Sequence, residues 1–190
     1  MNLLPVVIFL MLIPAHDYGG GGILSGFLHP LLGLDHLLAM LAVGIVSAQI
    51  GGRAIWTVPT AFVGTMAVGA FLGLAGVGLP ILEYGITASV FVLGVAILFG
   101  DNIPEWVALV AVAFFALFHG NAHGIEIPEI SNTIGLLIAY IFGFLVATAG
   151  LHVVGALIGI MVARLKQGQL FMRLGGLAIA IIGIFLIISI

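Results

Sequence analysis

The chain has 190 residues, 63% of them hydrophobic and 6% charged, with a formal net charge of −3. A soluble domain carries ~25% charged residues. There is too little polar surface here to coat a water-soluble globule, so lipid is the remaining solvent and the protein is integral to a membrane. Four basic residues exclude a nucleic-acid partner, and the lack of cysteine excludes disulfides, thiolate metal sites and a cysteine nucleophile.

The apolar runs are continuous rather than alternating, which predicts an all-α polytopic bundle and not a barrel. Residues 1–15, MNLLPVVIFLMLIPA, come first. At ~1.5 Å per residue a helix of this length falls short of the ~30 Å hydrocarbon core. Its length and the exit at Ala15 suit a signal peptide cleaved there, although no basic residue precedes the apolar run. A retained apolar segment is the alternative, and would raise the helix count from six to seven. HDYGGGG (16–22) reads as a linker.

The remaining chain, within a single transmembrane domain over 16–190, carries six apolar segments at about 30–49, 54–78, 83–100, 104–121, 133–163 and 170–190. They are broken at QIGGR, GVGLP, GDNIPE, HGIEIPEISN and RLKQGQ. Pro30 and Pro104 each suit the first turn of a helix. Gly69 with Gly73, and Gly155 with Gly159, form GxxxG pairs; helix packing within the bundle is the expected use, with a homo-oligomer face as the alternative.

Orientation follows from the basic residues. Arg53 lies between segments one and two, and Arg164, Lys166 and Arg173 lie between or beside segments five and six. Six spans put these two loops on one side, which the positive-inside rule makes cytoplasmic. The N-terminus, Glu126 and Glu129 then fall outside.

That topology gathers the chemistry. HPLLGLDH (29–36) stands at the outer end of segment one and FHGNAHGIE (118–126) at the outer end of segment four. His29, Asp35, His36, His119 and His123 are thereby expected at one membrane face, with Glu126 and Glu83 able to add carboxylates. His119 and His123 are four apart, on one helix face if the helix persists through Gly120. His29 and His36, seven apart, again lie near one face. Asp35 is rotated from His36 by ~100° and suits orienting a histidine or ligating from the side. Ionisable groups inside a membrane are costly and usually functional. An imidazole and carboxylate set without thiolates suits Ni(II), Cu(II), Zn(II) or Co(II), and the Met40 thioether, one turn past His36, would suit Cu(I). His152, deeper in segment five, reads either as a second station or as a hydrogen bonder between helices. Glu83 reads either as a contributor to the site or as a helix-start residue meeting the dipole.

The run GFLHPLLGLDHLLAMLAVG (26–44) closely resembles the signature of the HupE/UreJ family, and FHGNAHGIE is similar to that family's second motif. The resemblance extends over essentially the whole chain. The leader departs from the family in lacking basic residues. The resemblance implies a small membrane protein tied to hydrogenase or urease maturation, a nickel permease of the bacterial plasma (inner) membrane. It implies that His29, Asp35, His36, His119, His123 and Glu126 handle the metal, with Glu83, Met40 and His152 as secondary candidates.

The expected function is therefore transport of a divalent transition metal, nickel first, into the cytoplasm, and not enzymatic catalysis. The substrate is the metal ion itself. The alternatives are a copper, cobalt or zinc transporter of the same design, an intramembrane metal-binding accessory protein, or a metalloenzyme. The last is disfavoured because no HExxH and no obvious general base is present. No GxxxxGK[ST] occurs either, so the chain does not itself hydrolyse ATP through a P-loop.

Overall fold

A computed structural model describes residues 22–130 and 133–190. The expected leader (1–15), its exit at Ala15 and the linker through Gly21 lie outside the described residues. The described residues form seven α-helices and no strand: α1 (Ile23–Leu32), α2 (Leu34–Ile50), α3 (Ala54–Leu74), α4 (Leu82–Phe99), α5 (Glu105–Ile130), α6 (Ile134–Ala163) and α7 (Gly168–Ser189). A short 3-10 turn, Gly100–Asn102, joins α4 to α5. Five helices are long and apolar enough to cross a membrane, and the bent pair α1–α2 makes a sixth candidate span.

The first span differs from expectation. It is two helices meeting at 84° across Gly33, where the sequence suggested one helix from residue 30. Pro30 lies inside α1 rather than in a first turn. A proline there removes the backbone donor that would bond the carbonyl one turn back and crowds that carbonyl, and α1 ends two residues later. Gly33 is extended (φ −80°, ψ 118°), so its backbone is ordinary. Its use is steric, because a Cβ there would stand 3.0 Å from Asp35 Oδ1 and 3.3 Å from His36 Nδ1. Pro104 lies just before α5, whose first turn it opens through its carbonyl. At the other end α5 continues past the expected break to Ile130.

Lipid tails are as apolar as leucine, so helices in a bilayer associate through close packing rather than through hydrophobic exclusion. Here that packing is built on glycine. Gly69 and Gly73 of α3 meet the α5 backbone at Leu117 and Asn121, while Gly120 and Gly124 of α5 meet the α3 backbone at Met66 and Ala70. Gly155 and Gly159 of α6 pack on Leu41 and Ala48 of α2. Both GxxxG pairs thus serve packing inside the bundle. The outward faces stay apolar: Trp56, Phe71 and Trp106 are each about 70% exposed, the composition expected of a lipid-facing surface.

The bundle has two unlike ends. The start of α2, the start of α4 and the later turns of α5 share one end, which holds the histidines of the two motifs. Arg53, Arg164, Lys166 and Arg173 all lie toward the other. There the Arg53 Nε–H donates to Glu105 Oε2 at 2.7 Å, and Trp56 and Trp106 flank the pair in sequence, where amphipathic rings suit a membrane–water interface.

Candidate metal centre

Three helices bring the expected residues together. His29 is carried by α1, Asp35 and His36 by the first turn of α2, and His119, His123 and Glu126 by α5. The helix persists through Gly120, so His119 and His123 share a face, and Gly120 and Gly124 let that stretch of α5 lie against α3.

The His123 ring is central. Its centroid is 4.6 Å from that of His29 and 4.7 Å from that of His36. His36 in turn lies 4.8 Å from His119, and His29 lies 6.3 Å from His36. His29 Nε2 stands 3.0 Å from Glu126 Oε2. Ligand atoms of His29, His123 and Glu126 lie within 4.8 Å of one another. Metal–nitrogen bonds of ~2.0–2.1 Å place bound donors about 3–4 Å apart. Small side-chain rotations would close this set around one ion.

Hydrogen bonds decide which nitrogens are available. Asp35 Oδ1 accepts from the backbone N–H of His36 at 2.7 Å and stands 2.9 Å from His36 Nδ1. A carboxylate only accepts, so the network assigns the proton to His36 Nδ1 and leaves the Nε2 lone pair open. On α4, the Ser89 hydroxyl donates to the Ile86 carbonyl and stands 2.9 Å from His119 Nε2. With its only proton committed, Ser89 accepts from His119 Nε2–H, which leaves the Nδ1 lone pair open. His36 Nε2, His119 Nδ1 and both ring nitrogens of His123 are buried with no hydrogen-bond partner among the described residues. Buried polar atoms are ordinarily paired, so four such nitrogens in one cluster form a donor set that can take a cation.

Burial is graded across the cluster. The side chain of Glu126 is 36% exposed, those of Asp35, His36 and His29 are between 11% and 23%, and His119 and His123 are wholly buried. Glu83 lies in the first turn of α4, exposed, where the helix dipole favours a carboxylate. It also interacts electrostatically with Asp35, His36 and Glu126, so the two readings of Glu83 are compatible. Met40 is fully buried in the apolar core. His152 is 1% exposed and is not a hydrogen bonder between helices, since neither ring nitrogen has a partner among the described residues.

Several residues at the site were not singled out from the sequence. Ser89 is the last polar residue of α4 before an apolar run to Phe99. Phe144 and Tyr140 of α6 wall the cluster, 4.2 Å from His123 and 6.1 Å from His29. Asn121, between the two motif histidines, anchors the α3–α4 loop: its side-chain oxygen accepts from Leu79 N at 2.9 Å and its nitrogen donates to the Val77 carbonyl at 2.8 Å. That loop ends in Ile81, held at φ 53°, a left-handed conformation costly for a β-branched residue. Asn121→Ala is expected to destabilise the loop by about 1–3 kcal/mol, read as hydrogen exchange at the Leu79 amide at least about tenfold faster. Unchanged exchange would remove the anchoring role.

The chain matches the HupE / UreJ protein family over residues 4–186. It is 46% identical over 179 residues to Protein HupE of Rhizobium leguminosarum bv. viciae, across 92% of this chain and 91% of that one. No solved structure matches it. A family match over nearly the whole length, carried by a relative of this identity, leads to one conclusion: the chain belongs to the HupE/UreJ family.

Proposed function

We propose that the protein moves a divalent transition metal, nickel first, across the bacterial plasma membrane into the cytoplasm. It would do so through a site built from His29, Asp35, His36, His119, His123 and Glu126. The observation that carries this reading is the tautomer arrangement. Asp35 and Ser89 each hold one nitrogen of a histidine, and the opposite nitrogens, with those of His123, remain unpaired in a buried cluster. Histidines that ligate metals almost always have their second nitrogen held in this way.

The order of events follows the burial gradient. Asp35, Glu83 and Glu126 form a negative mouth that raises the local cation concentration. The ion then exchanges water for imidazole as it passes inward to His36, His123 and His119. Nitrogen and carboxylate donors without thiolates suit nickel, copper, cobalt or zinc, and membership of a family named for HupE and UreJ favours nickel and a link to the maturation of a nickel enzyme. The four basic residues at the far end favour that end as cytoplasmic, with the histidine end and the N-terminus outside.

The test is uptake by the purified chain in liposomes, run with nickel, copper, cobalt and zinc. Saturable nickel uptake above that of empty liposomes is expected. A protein that binds nickel and moves none of the four ions would leave a metal-binding accessory role instead.

A further inference from the structure

Past the histidine cluster, α6 continues as a file of buried polar groups with nothing to bond to. Tyr140, Thr148 and His152 are all 1% exposed or less. The Tyr140 and Thr148 hydroxyls and both nitrogens of His152 have no hydrogen-bond partner among the described residues. Thr148 is the telling case. A threonine in a helix ordinarily donates to the carbonyl one turn back, as Thr57 does to Arg53 and Thr87 to Glu83. Thr148 makes no such bond. One turn on, the His152 ring lies 5.1 Å from that of Phe62, and the same Phe62 ring lies 5.6 Å from that of His119. One phenyl ring thus contacts both the inner limit of the cluster and His152.

The far end of the same helix reaches a second polar place. A cavity of about 390 Å³ is lined by Gln49, Asn102, Gly159 and Arg173, among others. Gln49 spends its amide N–H on the Ile97 carbonyl at 3.0 Å, and its buried side-chain oxygen has no partner among the described residues. From Tyr140 to Gly159, α6 rises about 28 Å at ~1.5 Å per residue, close to the ~30 Å of the hydrocarbon core. The groove of about 510 Å³ between α3 and α6 also borders His152, but Ile55, Trp56, Val63, Val153 and Leu157 line it. In a bilayer acyl chains fill such a groove, and it offers His152 a dry wall rather than a polar partner.

We propose that Thr148 and His152 form a transit site for the metal ion, midway along a file of unpaired polar groups leading from the histidine cluster to the cavity at Gln49. The proposal rests on the transport reading above. One imidazole and one hydroxyl hold an ion more weakly than the cluster does, as onward movement requires, because a conducting site must release what it binds. Arg173 at the far cavity adds a positive charge that speeds release instead of retaining the ion.

Leucine at position 152 separates transit from packing, because it fills the space without the unpaired nitrogens. In liposomes of phosphatidylethanolamine and phosphatidylglycerol, supplied with nickel chloride, His152→Leu is expected to lower uptake at least about tenfold. Nickel affinity of the detergent-purified variant should stay within about twofold of wild type, as for a site apart from the cluster. Its melting temperature should match or exceed wild type, since an unpaired buried polar group has been replaced by an apolar one. His152→Cys restores a metal ligand and should recover part of the flux; Thr148→Val should slow it. Wild-type uptake by His152→Leu overturns the transit site and leaves the transport reading standing. A lower melting temperature together with lost nickel binding also overturns it, by marking His152 as a packing residue. Wild-type protein that moves no metal overturns the transport reading first, and the route with it.

Discussion

His36→Ala and His123→Ala are each expected to reduce nickel uptake to the background of empty liposomes, while the protein inserts at wild-type abundance. The two residues are expected to matter most because their rings meet at the middle of the cluster, with centroids 4.7 Å apart, and each carries an unpaired nitrogen. Loss of a group that merely orients a metal ligand costs ~10–100-fold in affinity or activity, and loss of the ligand itself should exceed that. The fold should tolerate both changes. Neither ring nitrogen of His123 makes a hydrogen bond, so alanine there breaks none and removes two unpaired buried atoms. In His36→Ala, Asp35 Oδ1 keeps its bond from the backbone N–H of residue 36 at 2.7 Å. Equal abundance in the membrane with wild-type uptake by either variant would rule out a ligand role for that residue.

The contrast with Ser89 sharpens the argument. Ser89→Ala removes no metal ligand, but it frees His119 to change tautomer and turn its protonated nitrogen toward the cluster. A graded loss of uptake in that variant, beside a complete loss in the histidine variants, is the pattern that an oriented donor set produces. A purely packing-based role would not separate the two.

The sequence revealed the spans and the meeting of the two motifs, but not the joints. Six segments were readable because lipid imposes long apolar runs, and the placing of four basic residues was enough to put HPLLGLDH and FHGNAHGIE at one end. The break at Gly33 was not readable, since leucines flank it on both sides and its backbone angles are ordinary. Nor was the extension of α5 beyond Gly124. Glycine and proline there read as a turn, yet Gly120 and Gly124 are where α5 rests on the α3 backbone, and packing overrides local propensity. Which nitrogens stand open depends on distances between atoms far apart in the chain. Residue 89 holds residue 119, and no periodicity carries that information. His152 shows the same limit: a buried histidine looks identical in sequence whether its nitrogens are bonded or bare.

Nickel affinity should fall steeply as the pH drops from about 7.5 to about 5.5. The sign follows from competition. A neutral imidazole offers a lone pair and a protonated one does not, so each ligating ring that is charged must release its proton before binding. At the unperturbed histidine pKa of ~6.5, this range takes one ring from mostly neutral to mostly charged, which lowers affinity about tenfold per ligating histidine. A fall steeper than about tenfold would mark more than one ring that competes with protons. Equilibrium binding to detergent-purified protein isolates this effect, whereas uptake would mix it with any proton gradient that drives release on the far side. Glu126→Gln, which removes a carboxylate 3.0 Å from His29 Nε2, should lower affinity across this range. A flat curve would show that the histidines are not the principal ligands, and would move the site to the carboxylates of Asp35, Glu83 and Glu126.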